Sequence, residues 1–135
     1  MSFLANSILT NSKIYDQFSF GIKQDDKKYI IHALSGDIWF DDNLKGCLKQ
    51  KKELVEEVSS QFTNTKKESY TWKYKKLADG KSISEVTNLN FQDGSSIRIY
   101  CNSFTKQAEK EGFRDVLSVN VSNSEIMYWI ENEAY

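Results

Sequence analysis

The apolar residues between positions 44 and 62 recur at steps of three and four, which is the period of an α-helix. Lysine, glutamine and glutamate fill the opposite side of the same stretch. Asp41 or Asp42 can cap the first turn, and the polar pair at 63–64 can end the last. The pattern predicts one long amphipathic helix around which the chain packs. Its buried stripe comprises Leu44, Cys47, Leu48, Lys51, Leu54, Val55, Val58 and Phe62.

Before this helix the pattern changes to a period of two, which is typical of a strand with one buried face. The alternating apolar residues there are Phe18, Phe20 and Ile22. Two apolar runs follow at 29–34 and 37–40, and Ser35 and Gly36 separate them. Glycine readily takes the positive φ that a two-residue turn needs, so these runs predict an N-terminal β-hairpin.

After the helix, turn residues fix the register of an antiparallel meander. Asp79 and Gly80 form a strong signal for a two-residue hairpin. A turn closed on these two residues pairs Trp72 with Thr87, and the alternation of side chains then fixes every other position. The side chains directed toward the helix are Tyr70, Trp72 and Tyr74, and the exposed ones are Lys73 and Lys75.

The next connection, at residues 92–94, requires a different turn. A two-residue turn would set the apolar residues of one strand against the polar residues of the other, which is wrong for a half-buried sheet. A three-residue loop with Gly94 in the left-handed conformation removes this conflict. The resulting register pairs Leu89 with Ile97, Thr87 with Ile99 and Glu85 with Cys101.

The two cysteines fall on surfaces that we expect to face each other. Cys101 continues the apolar face of its strand, and Cys47 lies on the buried stripe of the helix. We therefore predict a Cys47–Cys101 disulfide, which requires Cα atoms within roughly 7 Å. Because disulfides persist in oxidising compartments, exported or periplasmic localisation is slightly favoured over cytoplasmic. The alternative is a pair of buried free thiols that act as small hydrophobic residues.

The remaining chain supplies a last strand around 117–121 and a terminal helix with Ile126, Met127 and Ile130 inward. The sequence thus predicts an α+β fold: an N-terminal β-hairpin, one long amphipathic helix packed on an antiparallel β-meander, and a short C-terminal helix. We expect a single domain over 1–135, with 1–12 flexible or the remnant of a truncated signal. The order of a long helix followed by a four-stranded meander resembles cystatin-like and related helix-on-sheet architectures, which host many functions.

Charge and hydropathy narrow the classes of partner. The chain has 135 residues, with 18 basic and 19 acidic side chains and a net charge of −1. This balance gives no electrostatic reason to expect a nucleic acid or a strongly anionic membrane surface. No apolar run approaches the roughly 20 residues that span a bilayer. We expect a protein or small-molecule partner, with no nucleic acid and no membrane span.

Candidate chemistry centres on the lone histidine. In the predicted hairpin, His32 faces Trp39 and lies near Asp37 and Asp41, but this spacing matches no catalytic motif, so a structural histidine is favoured. The acidic residues around position 41 lack the glycine and distal glutamate of a calcium loop, and no zinc ligand set is present in the sequence. We expect no catalytic residues, no metal ligands and no cofactor.

These observations favour a non-catalytic binding or assembly module with a ligand pocket between helix and sheet. The ligand-binding residues themselves are not identified by any motif. One alternative is a small hydrolase-like enzyme that uses His32 with Asp37 or Asp41. Another is a secretion-chaperone-like dimer, suggested by size, mild acidity and element order. The aromatic residues at 70–74 would stack on bases or sugars if they were exposed, but their period favours the core.

Overall fold

The protein forms one seven-stranded antiparallel sheet with three helices, in a computed structural model that describes residues 2–9, 13–74, 77 and 79–134. The sheet has the strand order β1-β2-β3-β7-β6-β5-β4. The strands are β1 Phe3–Leu9, β2 Gln17–Lys23, β3 Ile31–Trp39, β4 Lys66–Lys73, β5 Ile83–Asn90, β6 Ser96–Ser103 and β7 Val116–Ser122. The helices are α1 Leu44–Gln61, α2 Lys106–Lys110 and α3 Ser124–Asn132. The predicted α+β class, with one long helix and a short C-terminal helix, is confirmed.

The cap of the long helix lies one residue after Asp42, the second of the two predicted caps. Asn43 is the N-cap, and its side-chain oxygen accepts a hydrogen bond of 3.0 Å from the backbone N–H of Gly46. Asp41 and Asp42 instead form ion pairs, with Arg114 and Lys106 respectively. The capping role assigned to the two aspartates is therefore wrong, because their carboxylates are used in tertiary contacts.

The apolar stripe of α1 packs on the centre of the sheet. Here Cys47 and Cys101 are both fully buried and lie at disulfide distance, with Cα atoms 6.1 Å apart. The prediction that these thiols lie close enough to be bridged is confirmed. The β5–β6 register is also confirmed, and Gly94 takes φ +89° as the three-residue loop requires. The buried cluster consists of Cys47, Leu89, Ile97, Ile99, Cys101 and Leu117.

The predicted turn at Ser35 and Gly36 is wrong, because β3 is one continuous strand from Ile31 to Trp39. Gly36 serves a different purpose from a turn glycine. A Cβ atom added there would lie 2.7 Å from the ring of Tyr15, so the missing side chain allows that ring to lie directly on the strand. The antiparallel partners of β3 are β2 on one side and β7 on the other.

The predicted register of β4 is also wrong. Tyr70 pairs with Val86 rather than Leu89, a shift of three positions, so every side chain of β4 points to the opposite face. Trp72 is 57% exposed instead of packing against α1. The cause lies in the connection at 74–82, where the Asp79 carboxylate binds the backbone N–H groups of Lys81 and Ser82 instead of closing a two-residue hairpin. Lys73 is exposed as predicted, and Lys75 lies outside the described residues.

The N-terminal segment adds a strand to the edge of the sheet. Within 1–12, which were expected to be flexible or a signal remnant, Phe3–Leu9 forms β1 and pairs antiparallel with β2. Over the described ranges, none of the helices has the length and apolarity needed to cross a membrane.

Candidate binding site

The sheet has two chemically different faces, because side chains alternate along each strand. The helix face carries the core and α1. The opposite face, which we call the polar face, brings together side chains from three neighbouring strands. In β3, β7 and β6, Asp37, Ser118 and Tyr100 are aligned, as are Ser35, Asn120 and Arg98. The polar face therefore carries a titratable cluster that no motif in the sequence indicates.

The C-terminal helix covers one end of the polar face and forms one wall of a cavity that is open to solvent. Asn123 caps this helix by accepting a 3.1 Å hydrogen bond from the backbone N–H of Ile126. Gly21 allows close packing, since a Cβ atom there would lie 3.1 Å from Ile126. The space below α3, called here the α3 cavity, measures about 340 Å³. Its lining includes Ile126, Met127, Trp129 and Ile130 from α3 and Ser96, Arg98, Tyr100 and Asn120 from the sheet.

This cavity differs from the expected pocket, which was placed between the long helix and the sheet. The interface of α1 with the sheet is filled by the core cluster and by the Cys47–Cys101 pair. The α3 cavity lies on the other side of the sheet, below the short helix. Its size is at the lower end of the roughly 300–1,000 Å³ that is usual for ligand pockets.

Arg98 supplies the positive charge of the cavity. Its Nε–H donates a 3.1 Å hydrogen bond to Oδ1 of Asn88 on the neighbouring strand. Within the described ranges, no carboxylate forms a salt bridge with its guanidinium. Arg114, the other arginine of the chain, donates two hydrogen bonds of 3.0 and 2.7 Å to Asp41 and lies over the ring of Trp39. Arg98 is therefore a partly buried cation held by a neutral amide.

Asp37, Ser118 and Tyr100 form a neighbouring cluster. Its buried environment favours the uncharged forms of Asp37 and Tyr100. Burial raises the pKa of the Asp37 carboxyl, and the Ser118 hydroxyl offsets part of that effect. Burial also raises the pKa of Tyr100, with a further increase from the charge of Asp37 and a decrease from Arg98. The Ser118 hydroxyl is fully buried and makes no hydrogen bond of ordinary geometry with any residue that the structure describes. Of these three residues, Tyr100 lines the α3 cavity and is the one placed to contact a ligand there.

The structure does not bring His32 together with Asp37 or Asp41. His32 and Asp37 lie five positions apart on β3, which is about 16 Å along a strand. His32 is buried, and its Nδ1 lies 2.8 Å from the Asn123 amide and 3.4 Å from Glu125. Its ring packs edge-on against Phe3, not against Trp39 as predicted. A register shift beside Gly21 and Ile22 accompanies this arrangement, since it displaces β3 relative to β2.

Three carboxylates away from the polar face lie close together, and no motif in the sequence predicts this grouping. Oxygen atoms of Asp42, Glu109 and Asp115 lie within 4.8 Å of one another. The Lys106 ammonium lies 2.6 Å from Asp42 and 3.2 Å from Glu109, and therefore already supplies a positive charge to the group. Asp115 accepts a 2.7 Å hydrogen bond from the backbone N–H of Phe104. Ion pairs with Lys106 and a backbone hydrogen bond to Asp115 account for this cluster.

Sequence reasoning missed Arg98 because its position between Ile97 and Ile99 indicates only a solvent-facing residue of a half-buried strand. The cavity that it lines depends on α3, which comes from the far end of the chain. Comparison with family models, with curated proteins and with solved structures gave no match.

Proposed function

We propose that this protein is a non-catalytic binding module whose α3 cavity takes a small amphipathic anion. The observation that carries the proposal is the position of Arg98 at the cavity without a carboxylate partner among the described residues. Withdrawing a cation from water is costly unless an opposite charge or strong hydrogen bonds compensate. A carboxylate provides both, because guanidinium and carboxylate groups match in a bidentate geometry.

The walls of the cavity support an amphipathic ligand over a simple inorganic anion. The side chains that α3 contributes are Ile126, Met127, Trp129 and Ile130, all of which bury apolar surface well. Asn120 and Tyr100 lie on the sheet side near Arg98 and offer further polar contacts. A ligand with a carboxylate at one end and a short apolar body satisfies both walls. Octanoate is a suitable probe of this class.

The other titratable groups support binding rather than reaction. His32 contacts Asn123 and Glu125, and the latter forms an ion pair with Lys23. These contacts tie the start of α3 to β2 and β3, so the histidine has a role in holding the helix that covers the cavity. We also propose that the protein is exported. The disulfide distance between the buried Cys47 and Cys101 supports this, because disulfide bonds persist in oxidising compartments.

Calorimetric titration of octanoate and of octanol tests the proposal. We expect octanoate to bind the native protein at one site, and Arg98→Met to weaken that binding by at least about tenfold, in line with hydrogen bonds to a charged group. Octanol lacks the charge, and should bind both proteins equally and weakly. Arg114→Met is the matched control, because that arginine lies away from α3. Equal octanoate affinity of the native protein and Arg98→Met would refute the proposal.

Self-association, as in a secretion-chaperone-like dimer, is a second proposal. It is supported by apolar residues on the helix face that α1 leaves uncovered. Leu34 and Val121 are cross-strand neighbours there and are 48% and 51% exposed. Sheets pack well through such faces, and a second copy would bury them. Light scattering at micromolar concentration tests this: a dimer that Val121→Lys dissociates supports it, and a native monomer counts against it.

A further inference from the structure

The edge strand β4 presents two aromatic side chains to solvent. Tyr70 and Trp72 are 39% and 57% exposed, and they share the polar face of the sheet with Val86 and Ser84. Because they are two positions apart on one strand, their Cα atoms are separated by about 7 Å along its axis. We call this pair the aromatic strip. It belongs to β4 and is not part of the lining of the α3 cavity.

The charged residues that the structure describes on the face of the aromatic strip are paired. On the same face of β4, Lys66 forms an ion pair of 3.5 Å with Glu68. Lys67 and Lys73 occupy the alternate positions and point to the helix face. Single-stranded nucleic acids bind aromatic platforms that are flanked by unpaired cations. The pairing of Lys66 with Glu68 therefore favours an uncharged ligand.

Polar groups lie next to both rings. The amide of Asn88 approaches the hydroxyl of Tyr70 at 3.4 Å, which is a long hydrogen bond that a ligand hydroxyl can replace. The indole N–H of Trp72 donates to no residue in the described ranges. Aromatic rings have an apolar face, and those of Trp72 and Tyr70 carry a polar group at the edge. They suit ligands that also have an apolar face and polar groups around it.

From this arrangement we infer that the aromatic strip binds a neutral polyhydroxylated chain, that is, a glycan. The C–H face of a sugar ring stacks on Trp72, and the next ring reaches Tyr70. The hydroxyl groups then bond to the indole N–H and to the hydroxyl of Tyr70. Addition of a peptide strand to the edge of β4 is disfavoured, because charged lysines at both ends of an edge strand hinder the pairing of another strand. Asn88 links this site to the α3 cavity, because its amide bonds both Arg98 and Tyr70, but glycan binding does not rest on the function proposed for that cavity.

Nuclear magnetic resonance of the three tryptophan indoles tests the inference within one spectrum, since Trp39 and Trp129 serve as internal references. The probes are soluble hexamers of β-1,4-linked glucose, α-1,4-linked glucose and β-1,4-linked N-acetylglucosamine. We expect at least one hexamer to shift the Trp72 indole resonance and to leave those of Trp39 and Trp129 unchanged. The inference is overturned if none of the hexamers shifts it, or if oligodeoxythymidylate at physiological salt shifts it and the hexamers do not.

Variants of exposed aromatic residues complete the test. We expect Trp72→Ala to weaken binding of the active hexamer by at least about tenfold and Trp72→Phe to restore part of the loss. Tyr128→Ala is the matched control, because Tyr128 is also exposed but lies on α3. Its affinity should remain within about twofold of the native value. Native affinity in Trp72→Ala, with an unchanged circular dichroism spectrum, would overturn the inference.

Discussion

The Nε–H of Arg98 donates a hydrogen bond to Oδ1 of Asn88, the residue directly opposite it on the adjacent strand. This bond uses only one of the five guanidinium N–H groups. The contact is with a neutral amide, so it orients the guanidinium, and no carboxylate in the described part of the chain pairs with its charge. The guanidinium of Arg98 is therefore held in one orientation but has no carboxylate partner among the described residues. These two properties are the basis of the proposed anion site.

Asn88→Asp converts this orienting amide into a carboxylate of nearly the same shape. The introduced charge should pair with Arg98 and compete with a bound anion, so we expect octanoate affinity to fall by at least about tenfold at neutral pH. Calorimetry at pH 7, where octanoate and the introduced carboxyl are both ionised, measures the effect against the native protein. Unchanged affinity at pH 7 would show that the guanidinium does not bind the ligand.

The Cys47–Cys101 bridge should contribute substantially to stability. It would close a loop with a sequence separation of 54 residues. A loop of this length restricts the unfolded chain by about 4 kcal/mol in the chain-entropy treatment, so the double variant Cys47→Ala, Cys101→Ala should lose up to that free energy of unfolding. Denaturant titration measures the loss. Intact mass after thiol alkylation under non-reducing denaturation provides the check, and two adducts per chain would exclude the bridge.

Asp37→Asn should stabilise the protein in a manner that depends on pH. Burial raises the Asp37 pKa above its unfolded value of 3.8, so the folded state favours the neutral carboxyl. The associated stability is fully present below about pH 4 and is lost as pH rises through the folded pKa. The neutral amide avoids that loss. We expect melting temperatures of the two proteins to agree at low pH and the variant to be higher at pH 7; a lower value at pH 7 would contradict this account.

Gly36→Ala tests why a glycine interrupts the apolar pattern of β3. The new methyl group would lie 2.7 Å from the Tyr15 ring, so we expect a destabilisation of about 1 to 3 kcal/mol. The matched experiment is a double-mutant cycle with Tyr15→Ala, measured by chemical denaturation. With the ring removed, the added methyl group should cost much less. Equal costs in both backgrounds would contradict the role assigned to Gly36.

Features of the fold that depend on local patterns could be predicted from the sequence. The period of three to four residues located α1, and the left-handed Gly94 fixed the β5–β6 register, which placed Cys101 opposite α1. Gly36 gave the wrong result because glycine permits both a tight turn and close packing of a distant ring. The two-residue turn predicted at Asp79 was wrong for a similar reason, because the Asp79 side chain forms hydrogen bonds within a longer loop.

The candidate site was harder to predict because long-range contacts create it. Arg98 lines a cavity because α3 covers that end of the polar face, and nothing within β6 indicates this arrangement. His32 was a candidate for chemistry because it is the lone histidine of the chain. Its partners Asn123 and Glu125 lie near the end of the chain, so the residues around His32 do not indicate them. Chemistry that depends on such pairings is visible only once the sheet order is known.

The most direct test of the anion site is the side-chain Nε–H resonance of Arg98 during titration with octanoate. The chain has two arginines, so Arg114, which is bonded to Asp41, provides an internal control in the same spectrum. We expect octanoate to shift the Arg98 resonance in a saturable manner, to leave Arg114 unchanged, and octanol to shift neither. An Arg98 resonance that does not move at saturating octanoate, or that moves together with Arg114, would contradict the proposed site.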